Sequence, residues 1–71
     1  MQQLTDEQFT RALKFSTICT NNGWNFSTEI IIAKMIATSS NKEEIITQIE
    51  KIIYTNDEQD FLNKLSQIGK K

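Results

Sequence analysis

Three capping boxes divide this sequence into helices. Thr5, Ser40 and Thr55 are each followed, three residues later, by a glutamine or a glutamate. At this spacing the hydroxyl accepts a hydrogen bond from the backbone N–H three residues on, and the Gln or Glu side chain accepts one from the N–H of the cap. Each box therefore predicts a helix that begins just after its Ser or Thr.

The first helix has a reinforced start and a stop signal. Asp6 and Glu7 place negative charge at the positive end of the helix dipole, and Leu4 and Phe9 occupy the positions of a hydrophobic staple. Gly23 ends the helix, because glycine tolerates the left-handed conformation that follows many helices. The apolar stripe that we expect to face the core consists of Phe9, Ala12, Leu13, Phe15, Ile18 and Cys19.

The second helix is apolar on almost all sides. Between Ile30 and Ala37 only Lys34 is polar. Three consecutive isoleucines favour β-structure locally, but the sequence holds no second strand-like segment to pair with them. A helix that is apolar all round is typical of a central position, so we expect the second helix at the middle of the fold.

The third and fourth helices are amphipathic. Five isoleucines form a one-sided stripe at i, i+1, i+4, i+7 and i+8, namely Ile45, Ile46, Ile49, Ile52 and Ile53. A similar stripe ends at Ile68, and Gly69 is the predicted stop of the last helix. The sequence thus predicts one all-α domain over residues 1–71. It is expected to be a compact bundle of four short helices, at about 5–22, 26–38, 41–54 and 56–68.

The residue types that catalysis and metal binding need are scarce. The chain has no histidine, which is the commonest general base, and Cys19 lies on an apolar stripe where a thiol packs as a small hydrophobe. The acidic pairs each open a helix, where they stabilise its dipole. One thiol cannot complete a zinc site, and 71 residues leave little room for a water-excluding pocket of about 300 Å³. We expect no enzyme activity, cofactor, metal or small-molecule substrate.

The apolar runs, the N-terminus and the composition bear on location and source. No apolar run approaches the roughly 20 residues that span a bilayer, and the N-terminus has neither the basic nor the apolar region of a signal peptide. A single cysteine is typical of a reducing compartment, so a cytoplasmic protein is expected. The abundance of Ile, Lys, Asn and Thr suggests an AT-rich coding sequence, as in a phage or bacterial accessory protein.

The chain carries more apolar side chain than a thin four-helix core can bury. It has eleven isoleucines and four phenylalanines in 71 residues, and three short neighbours cannot cover the whole second helix. Surplus apolar surface is usually closed by a partner. We therefore predict a small regulatory, inhibitor, adaptor or chaperone-like protein that binds another protein or itself as a homo-oligomer. The predicted partner-binding residues are Trp24, Phe26, Ile31, Met35 and Tyr54.

Two of these aromatic residues have a second interpretation. Trp24 follows the stop of the first helix, where it is either a lid on its own core or an anchor at an interface. A hydrophobic contact with Cys19 at the helix stop favours the lid. Tyr54 carries the same ambiguity, with a hydroxyl that can remain in water.

A nucleic-acid-binding regulator is the alternative function. The run from Ala33 through a Ser/Asn turn to Ile49-Glu50 resembles the helix-turn-helix of repressors. That resemblance implies base contacts from the third helix, by Asn41, Lys42, Thr47 and Gln48. The turn is about three residues too long and lacks the usual glycine, and the pair Glu43-Glu44 would face phosphate.

Overall fold

The computed structural model describes residues 4–68, in which four α-helices follow one another with short connections. α1 comprises Asp6–Asn21, α2 Phe26–Thr38, α3 Lys42–Ile52 and α4 Glu58–Ile68, and this part of the chain contains no strand. The predicted all-α bundle is confirmed, and its helix ends lie close to the predicted ones. The stop predicted at Gly69 falls outside the described residues.

Both ends of α1 are formed as the sequence predicts. The hydroxyl of Thr5 accepts a hydrogen bond from the N–H of Gln8, and the side chain of Gln8 accepts one from the N–H of Thr5, each at 3.1 Å. At the other end Gly23 has a φ of 69°. The N–H of Trp24 then reaches the carbonyl of Cys19 at 2.9 Å, which closes a Schellman motif and returns Trp24 to the core.

The caps of α3 and α4 differ from the prediction. Asn41, not Ser40, caps α3 by accepting from the N–H of Glu44 at 3.1 Å. The carboxylate of Asp57 accepts from the N–H of Asp60 at the start of α4, so the cap lies two residues after the predicted one at Thr55. Asn and Asp cap as well as Ser, and the glutamates of the two predicted boxes make contacts with other helices instead.

Glu58, the glutamate of the box predicted at Thr55, links the starts of α2 and α4. A single oxygen of Glu58 accepts from the hydroxyl of Thr28 at 2.5 Å and from the N–H of Asn25 at 2.9 Å. Thr28 is buried, so this bond satisfies a hydroxyl that water does not reach. The contact fixes the beginning of α2 against α4.

The central helix is α3, which contacts α1, α2 and α4. The prediction that α2 is central is therefore wrong. α2 packs mainly against α1 and α3 and buries only Thr28, Ile32 and Ile36, so one arc of its apolar surface is covered and the rest is not. The buried apolar core consists of Phe15, Cys19, Trp24, Ile32, Ile36, Ile46, Ile49, Ile53, Phe61 and Leu65.

Arg11 holds α1 against α3. Its guanidinium donates two hydrogen bonds to Glu50, at 2.6 and 3.0 Å, one to Glu43 at 2.6 Å and one to Thr47 at 3.1 Å. These bonds raise the pKa of Arg11, with Glu50 contributing most, and they lower the pKa of both glutamates. One side of α1 is thereby fixed on α3. The opposite side, which carries Phe9 and Leu13, stays exposed.

Acid is expected to destabilise the wild-type chain more than an Arg11→Met variant, which keeps the aliphatic stem. Since the pKa values of Glu43 and Glu50 are lowered in the folded chain, their contribution is complete above the unfolded pKa of about 4.3 and is lost as the pH falls through the folded values. Urea unfolding at pH 7 and at about pH 3 measures the stability gap between the two chains. The gap should narrow in acid, and an unchanged gap would contradict the role assigned to Arg11.

Candidate functional site

An apolar groove of about 520 Å³ lies between α1 and α2. Its floor is formed by buried or half-buried side chains, which are Ala12, Phe15, Ile32 and Ile36. Its rim is formed by exposed ones, which are Phe9, Leu13, Phe26, Ile30, Ala33 and Ala37. We call these ten residues the α1–α2 groove. The groove is open to water along its rim, so it is a surface feature and not the water-excluding pocket for which the sequence leaves little room.

The rim exposes large apolar side chains to water. Phe26 is 68% exposed, Phe9 55%, Leu13 52% and Ile30 41%. Phe9 and Leu13 lie four residues apart on α1, so they point to the same side of that helix. Phe26 and Ile30 are related in the same way on α2. The two helices thus face the groove with one pair of large residues each.

Small residues give the groove its depth. Ala33 and Ala37 continue the line of Phe26 and Ile30 along α2 at i+7 and i+11, and Ala12 lies between the larger side chains of α1. The stretch of α2 from Phe26 to Ala37 is about 16 Å long, from the α-helical rise per residue. The groove is therefore as long as three turns of a helix.

Charged groups border the groove only at its ends, and both are bound within the chain. At one end the carboxylate of Glu29 accepts from the hydroxyl of Ser16 at 2.5 Å, which links α2 to α1. At the other end the ammonium group of Lys42 donates to the carbonyls of Ile36, Ala37 and Ser39 at 3.0–3.1 Å and so caps the C-terminus of α2. The middle of the groove is apolar.

The thiol of Cys19 is enclosed in the core and is not part of the groove. It is 0% exposed, and burial, with smaller contributions from the charges of Glu29 and Glu58, raises its pKa to about 11. At neutral pH it stays protonated, which is the form that does not attack or bind metal. Among residues 4–68, no group of three or more His, Cys, Asp or Glu side chains is placed to hold a metal ion.

Protein-family models, curated proteins and solved structures give no match to this chain. Each helix within the described range is too short or too polar to cross a membrane.

The predicted partner-binding residues do not lie on one surface. Phe26 lines the groove. Ile31 and Tyr54 are 40% and 76% exposed but lie outside it, and Met35 is half-buried against the core. Trp24 is only 9% exposed, with its ring centroid 5.1 Å from that of Phe61, as in the lid interpretation.

Three large residues of the groove rim are not among the partner-binding residues predicted from the sequence. The sequence places Phe9 and Leu13 on the stripe of α1 that is expected to face the core, and Ile30 on a helix that is apolar on almost all sides. The feature of the sequence that indicates exposed residues on α1 is the width of its apolar stripe. Phe9 and Ile18 point to opposite sides of the helix, about 180° apart, so one core contact could not cover both.

Proposed function

We propose that this chain is a non-catalytic protein-binding module that holds an apolar helical segment of a protein partner in the α1–α2 groove. The observation that carries the proposal is the exposure of Phe9, Leu13, Phe26 and Ile30, each 41–68% exposed, along one continuous groove. Contiguous apolar surface of this kind marks interaction sites, because water makes its exposure unfavourable.

The shape of the groove favours a helix as the bound element. Its walls are two helices, and a third helix laid between them would bury side chains in the same way as a bundle does. An amphipathic helix places anchors at i, i+3 or i+4 and i+7, over a length that the three-turn groove can accept. Such a partner segment would supply the apolar contacts that the rim residues lack in the free chain.

The polar groups around the groove favour a protein over a small molecule. Small-molecule sites combine an apolar lining with a few polar groups that fix the orientation of the ligand. Here Glu29 is engaged by Ser16, and Lys42 by three carbonyls of the chain. The groove therefore offers mainly an extended apolar contact, with its charged groups at the ends.

A module of this kind acts by occupying a surface of its partner. That action suits a small regulatory protein, such as an inhibitor, an adaptor or a chaperone-like factor in the cytoplasm, encoded by a phage or a bacterium. Binding of the partner needs no group that exchanges protons, which is consistent with the lack of histidine.

The contacts of α3 favour this proposal over the helix-turn-helix alternative. Glu43, Thr47 and Glu50 are engaged by Arg11, Asn41 caps the helix, and Lys42 binds the carbonyls of α2. A recognition helix would have to release these groups before they could reach bases, and its glutamates would still repel phosphate.

Capture from an extract of the organism that encodes the chain tests the proposal. The baits are the wild type, a Leu13→Ser/Phe26→Ser double variant and a Tyr54→Ser control. Because Leu13, Phe26 and Tyr54 are all more than half exposed, each bait should keep its fold, as circular dichroism can verify. We expect at least one protein to be retained equally by the wild type and the control, and about tenfold less by the double variant. Equal retention by all three baits would contradict a role for the groove.

A further inference from the structure

The groove-facing side of α2 is complementary in size to itself. Its first half carries two large residues, Phe26 and Ile30, and its second half carries two small ones, Ala33 and Ala37. The four positions are symmetric about the point midway between residues 31 and 32. When a second α2 runs in the opposite direction across that point, Phe26 lies opposite Ala37 and Ile30 opposite Ala33.

The spacing of these residues suits a helix pair. Intervals of four, three and four residues are those of the a and d positions along the seam of a coiled coil. In the antiparallel arrangement each layer of the seam then holds one large and one small side chain. Alternation of large and small residues across facing positions is how packed layers reach native density without voids.

We propose that the occupant of the α1–α2 groove is α2 of a second copy of this chain, antiparallel to the first about a twofold axis. This inference rests on the proposed function, since it names the partner of the same groove. The interface is isologous, so each α2 lies in the groove of the other copy and contacts Phe9 and Leu13 of that copy. A dimer of standard size removes about 800 Å² from each partner, roughly one-sixth of the 4985 Å² surface of this chain.

Charge does not oppose the association of two identical copies. Glu29 and Lys42 lie at the two ends of the groove and are engaged by groups of their own chain. Lys34 is exposed beside the seam, where its long side chain can keep the ammonium group in water. The seam itself brings only apolar side chains together.

A size-exchange experiment tests the pairing. Sedimentation equilibrium from about 1 µM to about 1 mM should show a dimer of the wild type. Phe26→Ala removes the large residue from one layer, and Ala37→Phe places two large residues in it. Each should raise the dissociation constant of the dimer about tenfold or more. The combined variant restores one large and one small residue to that layer, so its dimer should be tighter than that of either single variant. A combined variant weaker than both single ones would overturn the antiparallel pairing. Tyr54→Ala serves as the control and should dimerise as the wild type does.

Disulfide exchange tests the register independently. An equimolar mixture of Ile30→Cys and Ala33→Cys chains, distinguished by mass, is oxidised under mild conditions. The antiparallel seam places residue 30 opposite residue 33 of the other copy, so the mixed disulfide should exceed the statistical half of the products. Cys19 is 0% exposed and should not take part. A preference for the two homodisulfides would overturn the proposed register.

Failure of the dimer and failure of the proposed function give different results. A wild type that stays monomeric at about 1 mM overturns the dimer, because its dissociation constant would then exceed that concentration. Groove-dependent capture of another protein would still support the proposed function in that case. A monomer that also shows no groove-dependent capture overturns both.

Discussion

Replacing Phe61 with alanine is expected to lower the unfolding free energy by about 3–5 kcal/mol. Phe61 is 0% exposed at the start of α4 and packs against the ring of Trp24. Truncation leaves a cavity that the surrounding helices fill only in part, and it removes the aromatic contact. A chain of 71 residues has about 7 kcal/mol of stability at a typical 0.1 kcal/mol per residue, so about 40–70% of it would be lost.

Urea unfolding followed by the fluorescence of Trp24, the single tryptophan, measures this loss. Phe26→Ala is the matched control, because the chemical change is identical and Phe26 is 68% exposed. Its cost should stay below about 1 kcal/mol. The measurement is made at a concentration below the dissociation constant of the dimer found by sedimentation, so that self-association does not contribute. Similar losses at positions 26 and 61 would contradict the division between core and groove.

The features of the fold that depend on neighbours in sequence could be predicted. The box of Thr5 and Gln8 and the left-handed Gly23 each act within a few residues, so their signals are complete in the sequence. The starts of α3 and α4 could not be predicted in the same way. Whether Glu43 and Glu58 turn back to their own helix depends on Arg11 and Thr28, which lie about 30 residues away in the chain.

That apolar surface stays exposed could be predicted from the sequence, but its position on the molecule and its shape as a groove could not. An excess of apolar side chain indicated that part of α2 stays uncovered, and Ile30 and Ile31 are indeed 41% and 40% exposed. Which exposed arc forms a groove depends on the side from which α1 packs against α2. That packing places Phe26 of α2 and Phe9 of α1 along the same groove and leaves Tyr54 on another surface. Periodicity within one helix contains no information on this choice.

The assignment of α3 as the central helix leads to the second large effect. Ile49→Ala is expected to cost about 2–5 kcal/mol, because Ile49 is 0% exposed and belongs to the helix that contacts the other three. The same truncation of Ile30, which is 41% exposed, should cost less than about 1 kcal/mol. Urea unfolding of the two variants at low micromolar concentration gives both values.

Association through the groove should be weakened more by Ile30→Ala than by Ile49→Ala, which is the opposite of the order expected for stability. Ile30→Ala removes a rim residue of the groove and should weaken groove-dependent association, whereas Ile49→Ala, assayed under conditions where it remains folded, leaves the rim intact. The two effects separate because the residues that hold the bundle together surround α3, and those left to a partner face outward from α1 and α2. A larger loss of stability at Ile30 than at Ile49 would restore α2 as the central helix, and the groove would then be part of the core.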